Sequence, residues 1–139
     1  TCFPGEGKII TSLFEAGLER LHLRKPDAGK ETIATLIHQI PDQFYSRIVI
    51  HDHSVWPAEY ALGGVHLNRR NPNAPDHFTG SISRSCHSIQ ELDTWKSLDY
   101  LFLSPIFQSI SKEGYGNGFP WHELEEATER GFINPKYLR

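Results

Sequence analysis

The chain has only two cysteines, Cys2 and Cys86, far apart and in no spaced motif, which argues against both a disulfide scaffold and a cysteine-based zinc site. No apolar stretch approaches the ~20 residues that span a bilayer, so no membrane partner is expected. A formal charge of −3 gives no electrostatic case for nucleic acid. The opening segment, TCFPGEGK, lacks the basic-then-apolar layout of a signal peptide. No low-complexity tract or linker divides the chain. With 139 residues, 38% of them hydrophobic and 22% charged, the expectation is one soluble cytoplasmic domain over residues 1–139. A chain of this size buries roughly 70% of the surface that its unfolded form exposes.

What the chain does have is five short apolar runs, each ending in polar, chemically able residues: LHLRK (21–25), RIVIHDH (47–53), GGVHLNR (63–69), SISRSCH (81–87) and YLFLSPIF (100–107), the last followed by Lys112. Runs of this length and composition suit buried strands. Polar residues placed just as such strands end are how a parallel α/β protein assembles one site from many strands. Histidine is abundant, eight in all, and His22, His51, His66 and His87 fall at or near these ends. His38 and His122 sit in helical patterns and His77 in a loop, where a solvated role is expected.

Helical periodicity alternates with the runs. Ile9, Ile10, Leu13 and Phe14 form an apolar stripe stopped by Gly17, and Ile33, Leu36, Ile37 and Ile40 form another closed by Pro41. Val55 to Leu62 predicts a short helix ended by Gly63 and Gly64, and Trp121 to Gly131 predicts a last one. Ser88 is a candidate N-cap for Ile89 to Trp95, with Glu91 completing a capping box. Asn71 to His77, with its two prolines, reads as a loop near the site mouth. Alternation of this kind implies right-handed βαβ units and a parallel sheet. Thr1 to Pro4 resembles the tail of a strand, and Asn134 to Arg139 the approach to another. Because a (β/α)8 barrel typically takes ~250 residues, the pattern fits either an open five-stranded sheet or most of a barrel without its ends.

At these motifs the chain resembles the thiamine phosphate synthase and TenI family of compact (β/α)8 barrels, from about Thr1 to Gly114. The family's Q-L-R-x-K stands here as His22-Leu23-Arg24-Lys25-Pro26, and its N-D pair as His51-Asp52. G-[VI]-H-L-G-Q-x-D stands as Gly64-Val65-His66-Leu67-Asn68-Arg69-Arg70-Asn71. S-x-H-[ST] is Ser85-Cys86-His87-Ser88, and S-P-[IV]-F-x-T-x-[ST]-K runs from Ser104 to Lys112. The resemblance implies an α/β TIM-type (β/α)8 barrel that is incomplete, its N-terminal strand partial and its last two βα units absent. It also implies a role in thiamine biosynthesis, as a transferase or an isomerase. The expected ligands are a thiazole phosphate or an aminopyrimidine diphosphate. An open last strand would leave an unpaired edge that invites a second copy, so a homo-oligomer is in view.

In the synthases these motifs bind the pyrimidine diphosphate, and the two aspartates hold Mg²⁺. Here His22, Pro26, His51, Arg69 and Asn71 replace five of those residues. With one of two carboxylates lost, Asp52 is the remaining Mg²⁺ ligand, and a weakened metal site is expected. The substitutions favour the TenI-like branch, whose thiazole tautomerase chemistry needs an acid/base and no cofactor. In that branch the histidine matching His87 is thought to move a proton on the thiazole ring, and imidazole exchanges protons near neutral pH. Its alternative is a capping duty at the following helix. His22, Arg24, His51, Asp52, His66, Ser85 and Lys112 are the candidate substrate- and phosphate-binding residues.

Each has a plainer reading. Arg24, if buried, needs an anion, either a ligand phosphate or a structural partner such as Asp52. Asp52 itself can be a carboxylate paired to a nearby Lys or Arg, His66 a hydrogen-bonded barrel histidine, and Lys112 a solvated surface cation. His51 and His53 form an H-x-H that on one strand face could hold a metal, as in amidohydrolase-type barrels. Cys86 and His87 are adjacent and point apart on extended backbone, which disfavours a Cys/His nucleophile. Outside tautomerase chemistry, the open alternatives are a Mg²⁺-dependent synthase, a non-catalytic TenI-like binding protein and a metal-dependent hydrolase.

Overall fold

The computed structural model describes residues 2–52, 59–107 and 118–133. The chain forms two compact units, Thr1–Ser83 and Arg84–Arg139. A five-stranded sheet runs in sequence order, β1 (Leu21–Leu23), β2 (Ile48–His51), β3 (Gly64–Leu67), β4 (Ser81–Cys86) and β5 (Tyr100–Leu103). β1 pairs with β2 and β2 with β3, both in parallel. Four α-helices accompany it among the described residues: α1 (Glu6–Glu15), α2 (Lys30–His38), α3 (Ile89–Trp95) and α4 (Trp121–Glu129). No helix of the described residues is long and apolar enough to cross a membrane.

In the first unit the strands carry two different faces. Leu23, Ile48, Ile50, Val65 and Leu67 are all buried and alternate with the histidine positions, so they share the apolar face. Ile10 and Phe14 of α1 and Ile33, Leu36 and Ile37 of α2 supply further buried apolar surface. Each such side chain contributes about 1.5–3 kcal/mol by leaving water. The four-residue stripe expected in α1 is only half correct. Ile10 and Phe14 are buried, whereas Ile9 and Leu13 are 52% and 47% exposed. The row of Gly7, Ile10 and Phe14 turns inward because Gly7 lies against Gln39 at the end of α2, where a Cβ would come within 2.5 Å of the Gln39 Cβ. Positions 9 and 13 form the adjacent row and face out.

The stop signals behave as their chemistry requires. Gly17 and Gly131 adopt φ of 101° and 76°, past the ends of α1 and α4. Leu18 and Phe132 then donate back to the carbonyls of Leu13 and Ala127, the six-to-one bond of a glycine-terminated helix. Ser88 Oγ accepts from the Glu91 N–H at 3.2 Å, and Glu91 Oε2 accepts from the His87 N–H at 2.6 Å. A 3₁₀ turn over Asp42–Arg47, which the periodicity did not announce, leads into β2. The helix expected over 55–62 lies partly outside the described residues; Glu59 and Tyr60 are helical. Gly63 and Gly64 are needed for close approach rather than for a turn. A Cβ on Gly63 would meet the Ser46 carbonyl oxygen at 1.9 Å, and one on Gly64 the Ser81 Oγ at 2.3 Å.

One ion pair ties the start of the sheet to α1. Lys25 Nζ sits on Glu6 Oε1, with side chains only 13% and 10% exposed, and lies 5.7 Å from the centre of the Phe3 ring. Removing one partner of a largely desolvated pair takes from the other its close counter-charge. Glu6→Gln is therefore expected to cost about 2 kcal/mol, measured by urea unfolding, and a Glu6→Leu/Lys25→Met double variant should recover most of that loss. If Glu6→Gln unfolds at the wild-type midpoint, the pair is a solvated surface contact.

Candidate functional site

β1, β2 and β3 of the first unit each deliver one histidine to the same sheet face. The register sets His51 opposite His66, and His22 opposite Val49, which shares the face of His51. The rings of His51 and His66 stack at 4.2 Å between centroids, and His22 stands edge-on to both, at 5.2 and 5.4 Å. His22 Nδ1 and His51 Nε2 are 2.9 Å apart, so one of them carries the shared proton. His66 Nδ1 lies 2.9 Å from Ser83 Oγ.

Burial governs the charge of this cluster. Desolvation, with the positive charge of Arg20, lowers the His22 pKa to about 4. Desolvation, then the neighbouring His66 and His22, lowers that of His51 to about 3, with Asp52 opposing. These two rings are therefore neutral at physiological pH.

Asp52 follows His51 with φ of 64°, and its carboxylate is held by the NRRN turn after β3. Asn68 Nδ2 donates at 2.7 Å, Asn71 Nδ2 at 3.2 Å and the 62%-exposed Arg70 guanidinium at 3.1 Å. Burial raises the Asp52 pKa, but the two amide hydrogen bonds and the charges of Arg70 and His51 outweigh it and hold the carboxyl below its usual value. This set makes a weak Mg²⁺ site, because Mg²⁺ is held by one or two carboxylates together with substrate phosphates and here the single carboxylate already faces three N–H donors, one of them cationic. Asn71, standing where a second carboxylate is expected, serves as a donor to Asp52.

Arg24 shares the sheet face of His22 but is exposed, so the cost of burying a guanidinium does not apply to it. Its supposed partner Asp52 is held by Arg70 and the two asparagines instead. The buried guanidinium is that of Arg84, in the second unit. It is 9% exposed, lies 4.2 Å over the Trp95 ring, and has Nε and Nη1 without a hydrogen-bond partner. Sequence reasoning missed it, although the alternation Ile82-Arg84-Cys86 puts Arg84 on the apolar face of β4.

His87, also in the second unit, is exposed at the end of β4. Its Nδ1 is 2.8 Å from the Ser104 carbonyl oxygen, which can only accept, so Nδ1 carries the hydrogen and the neutral ring has its lone pair on Nε2. Its backbone N–H is held by Glu91. Ser85 is half-buried on the same strand. Lys112 and His53 lie outside the described residues.

Cys86 is fully buried, and desolvation followed by the Glu91 charge pushes its thiol up to about 11, against the pull of Arg84. A thiol reagent at neutral pH is expected to modify Cys2 and to spare Cys86 until denaturant is added, as read by mass spectrometry. Preferential labelling of Cys86 in the folded protein would revive a nucleophilic role for it.

A family model described as thiamine monophosphate synthase matches residues 6–135. A thiamine phosphate pyrophosphorylase from Bacteroides thetaiotaomicron is similar in structure, with a TM-score of 0.82 and 41% identity over 96% of this chain and 64% of that one. A thiamine phosphate pyrophosphorylase from Pyrococcus furiosus shares the fold, with a TM-score of 0.67 at 15% identity over 89% of this chain and 63% of that one. The chain thus spans just under two thirds of the length of both. No curated protein matches it. The parallel α/β arrangement is the TIM-type one that the sequence motifs imply, represented here by five strands.

Proposed function

The chain belongs to the thiamine monophosphate synthase family, and from that premise we propose that it binds a phosphorylated thiazole and shifts a proton on its ring, with His87 as the acid/base. The observation that carries this reading is the fixed tautomer of His87. With Nδ1–H donated to the Ser104 carbonyl, Nε2 is the nitrogen available to accept a proton from one ring position and return it to another. The bond count is unchanged and no redox partner or metal is needed. Lys112, at the end of the motif that begins at Ser104, is the cation assigned to the phosphate. The weak oxygen set at Asp52 and Asn71 supports the same choice.

A second reading, Mg²⁺-dependent displacement of pyrophosphate from an aminopyrimidine diphosphate, is favoured by the 41% identity to the Bacteroides thetaiotaomicron protein. Incubating the purified protein with a thiazole carboxylate phosphate and following the ring signals by NMR tests the first. Isomerisation above the uncatalysed rate supports it. Thiamine phosphate formed from the pyrimidine diphosphate, thiazole phosphate and Mg²⁺, with no isomerisation, would establish the second in its place. Ligand binding without turnover in either assay would leave a non-catalytic binding protein.

A further inference from the structure

The role given to His87 leaves the three-histidine cluster of the first unit without a task. Chemistry alone makes that cluster unusual. The opposite face of the same strands is built from Leu, Ile and Val, and a purely structural second face would be satisfied in the same way. Instead three imidazoles, two of them only 7% and 2% exposed, bring their ring nitrogens together within 4.8 Å. Three imidazoles converging on one face form a donor set of the kind that holds a metal ion.

The surroundings prepare the cluster for such a use. Ser83 is fully buried, and its hydroxyl lies 3.3 Å from the Val65 carbonyl, to which it donates. The hydroxyl oxygen is left to accept from His66 Nδ1–H, which places the His66 lone pair on Nε2. A second nitrogen anchored on a neighbouring oxygen is what orients a ligating histidine. His22 Nδ1 and His51 Nε2 share one proton across 2.9 Å, a proton that a cation can displace. A four-coordinate zinc with bonds of about 2.0–2.1 Å needs donor nitrogens roughly 3.3 Å apart. His22 Nδ1 and His51 Nε2 lie 2.9 Å apart and one nitrogen of each of the three rings lies within 4.8 Å of the others, distances of the size that such a site needs.

We propose that His22, His51 and His66 form a binding site for a divalent transition metal of the zinc class, with three imidazole ligands and the fourth position open. Imidazole donors select zinc, copper, iron or nickel rather than magnesium, so this site differs in donor chemistry from an oxygen site at Asp52. Arg24, on the face of His22, and Arg20 bring positive charge nearby, while Asp52 follows His51. That balance favours an anion, hydroxide or a phosphate oxygen, as the fourth ligand. Eight histidines make loose surface binding a real competitor, which the experiment must separate.

The test uses protein prepared without a histidine tag, stripped with chelator and titrated with zinc chloride or cobalt chloride alone. One equivalent of zinc by calorimetry, and the intense visible bands of four-coordinate cobalt, are the expected results. His51→Gln should weaken zinc at least about 100-fold, and Ser83→Ala about 10-fold by freeing the His66 ring. His122→Ala should bind as wild type. Should His51→Gln fail to fold, His22→Asn, at the half-buried position, takes its place. Zinc should raise the melting temperature of wild type and leave that of His22→Asn unchanged. Sub-stoichiometric zinc, a pale six-coordinate cobalt spectrum in wild type, or equal affinity in wild type and variants would overturn the site. Isomerisation reads His87 and the cobalt spectrum reads β1–β3, so the two readings fail separately.

Discussion

His87→Ala is expected to slow thiazole isomerisation by about 10²–10⁴-fold, the usual contribution of a placed general acid/base, with KM changed far less than kcat. The ring is held by a backbone group, the Ser104 carbonyl at Nδ1, and the His87 backbone N–H is held by the Glu91 carboxylate. Truncation at Cβ removes the proton carrier and leaves that frame in place. The comparison that separates chemistry from positioning is His87→Gln. A glutamine amide can still donate to the Ser104 carbonyl but cannot take up a proton near neutral pH. If His87→Gln turns over like wild type in single-turnover NMR kinetics, the histidine orients the loop and the proton moves elsewhere. Glu91→Gln, which keeps the bond to the His87 N–H in a weaker form, should lower kcat only a few-fold.

Taking the metal-free protein from pH 7 to pH 5 is expected to reduce its stability by roughly 2–4 kcal/mol through His22 and His51 alone. Both have folded pKa values near 4 and 3, below the 6.5 of an unfolded histidine. Between those values the unfolded chain binds protons that the folded one does not. Stability is therefore fully present above about pH 6.5 and falls as the pH drops toward the folded values. At pH 5 each ring contributes at most about 2 kcal/mol of loss, less where its burial is partial. Urea midpoints at pH 7 and pH 5 measure it, and a His22→Asn/His51→Gln variant should show a visibly flatter profile. A wild-type midpoint that stays constant over this interval would mean that the cluster opens to water.

Most of the fold was legible because its signals are local. A glycine after Phe14, a serine before Ile89 and an apolar run of three at Ile48 act within a few residues, and α1, α3 and β2 formed where those signals placed them. The loop from Asn71 to His77 is legible for the same reason. The candidate site was legible only as a set of residue types. His22, His51 and His66 lie 29 and 15 positions apart along the chain, and no spacing rule joins them. The local pattern drew attention to His51 and His53 instead, because i and i+2 share a strand face.

Similarly, Asp52 was one of two anions open to Arg24, the other being a ligand phosphate, yet the turn after β3 takes up Asp52 and Arg24 stays exposed. Arg84 carried a period-two signal that could have been used, since its neighbours Ile82 and Cys86 mark its face. The sequence by itself determined the order of elements, the family and the identity of the polar residues at each strand end. Tertiary structure alone decided which of them meet. Parallel strands bring distant residues together through register, and a one-residue shift of any one of these strands would have turned its imidazole to the opposite face.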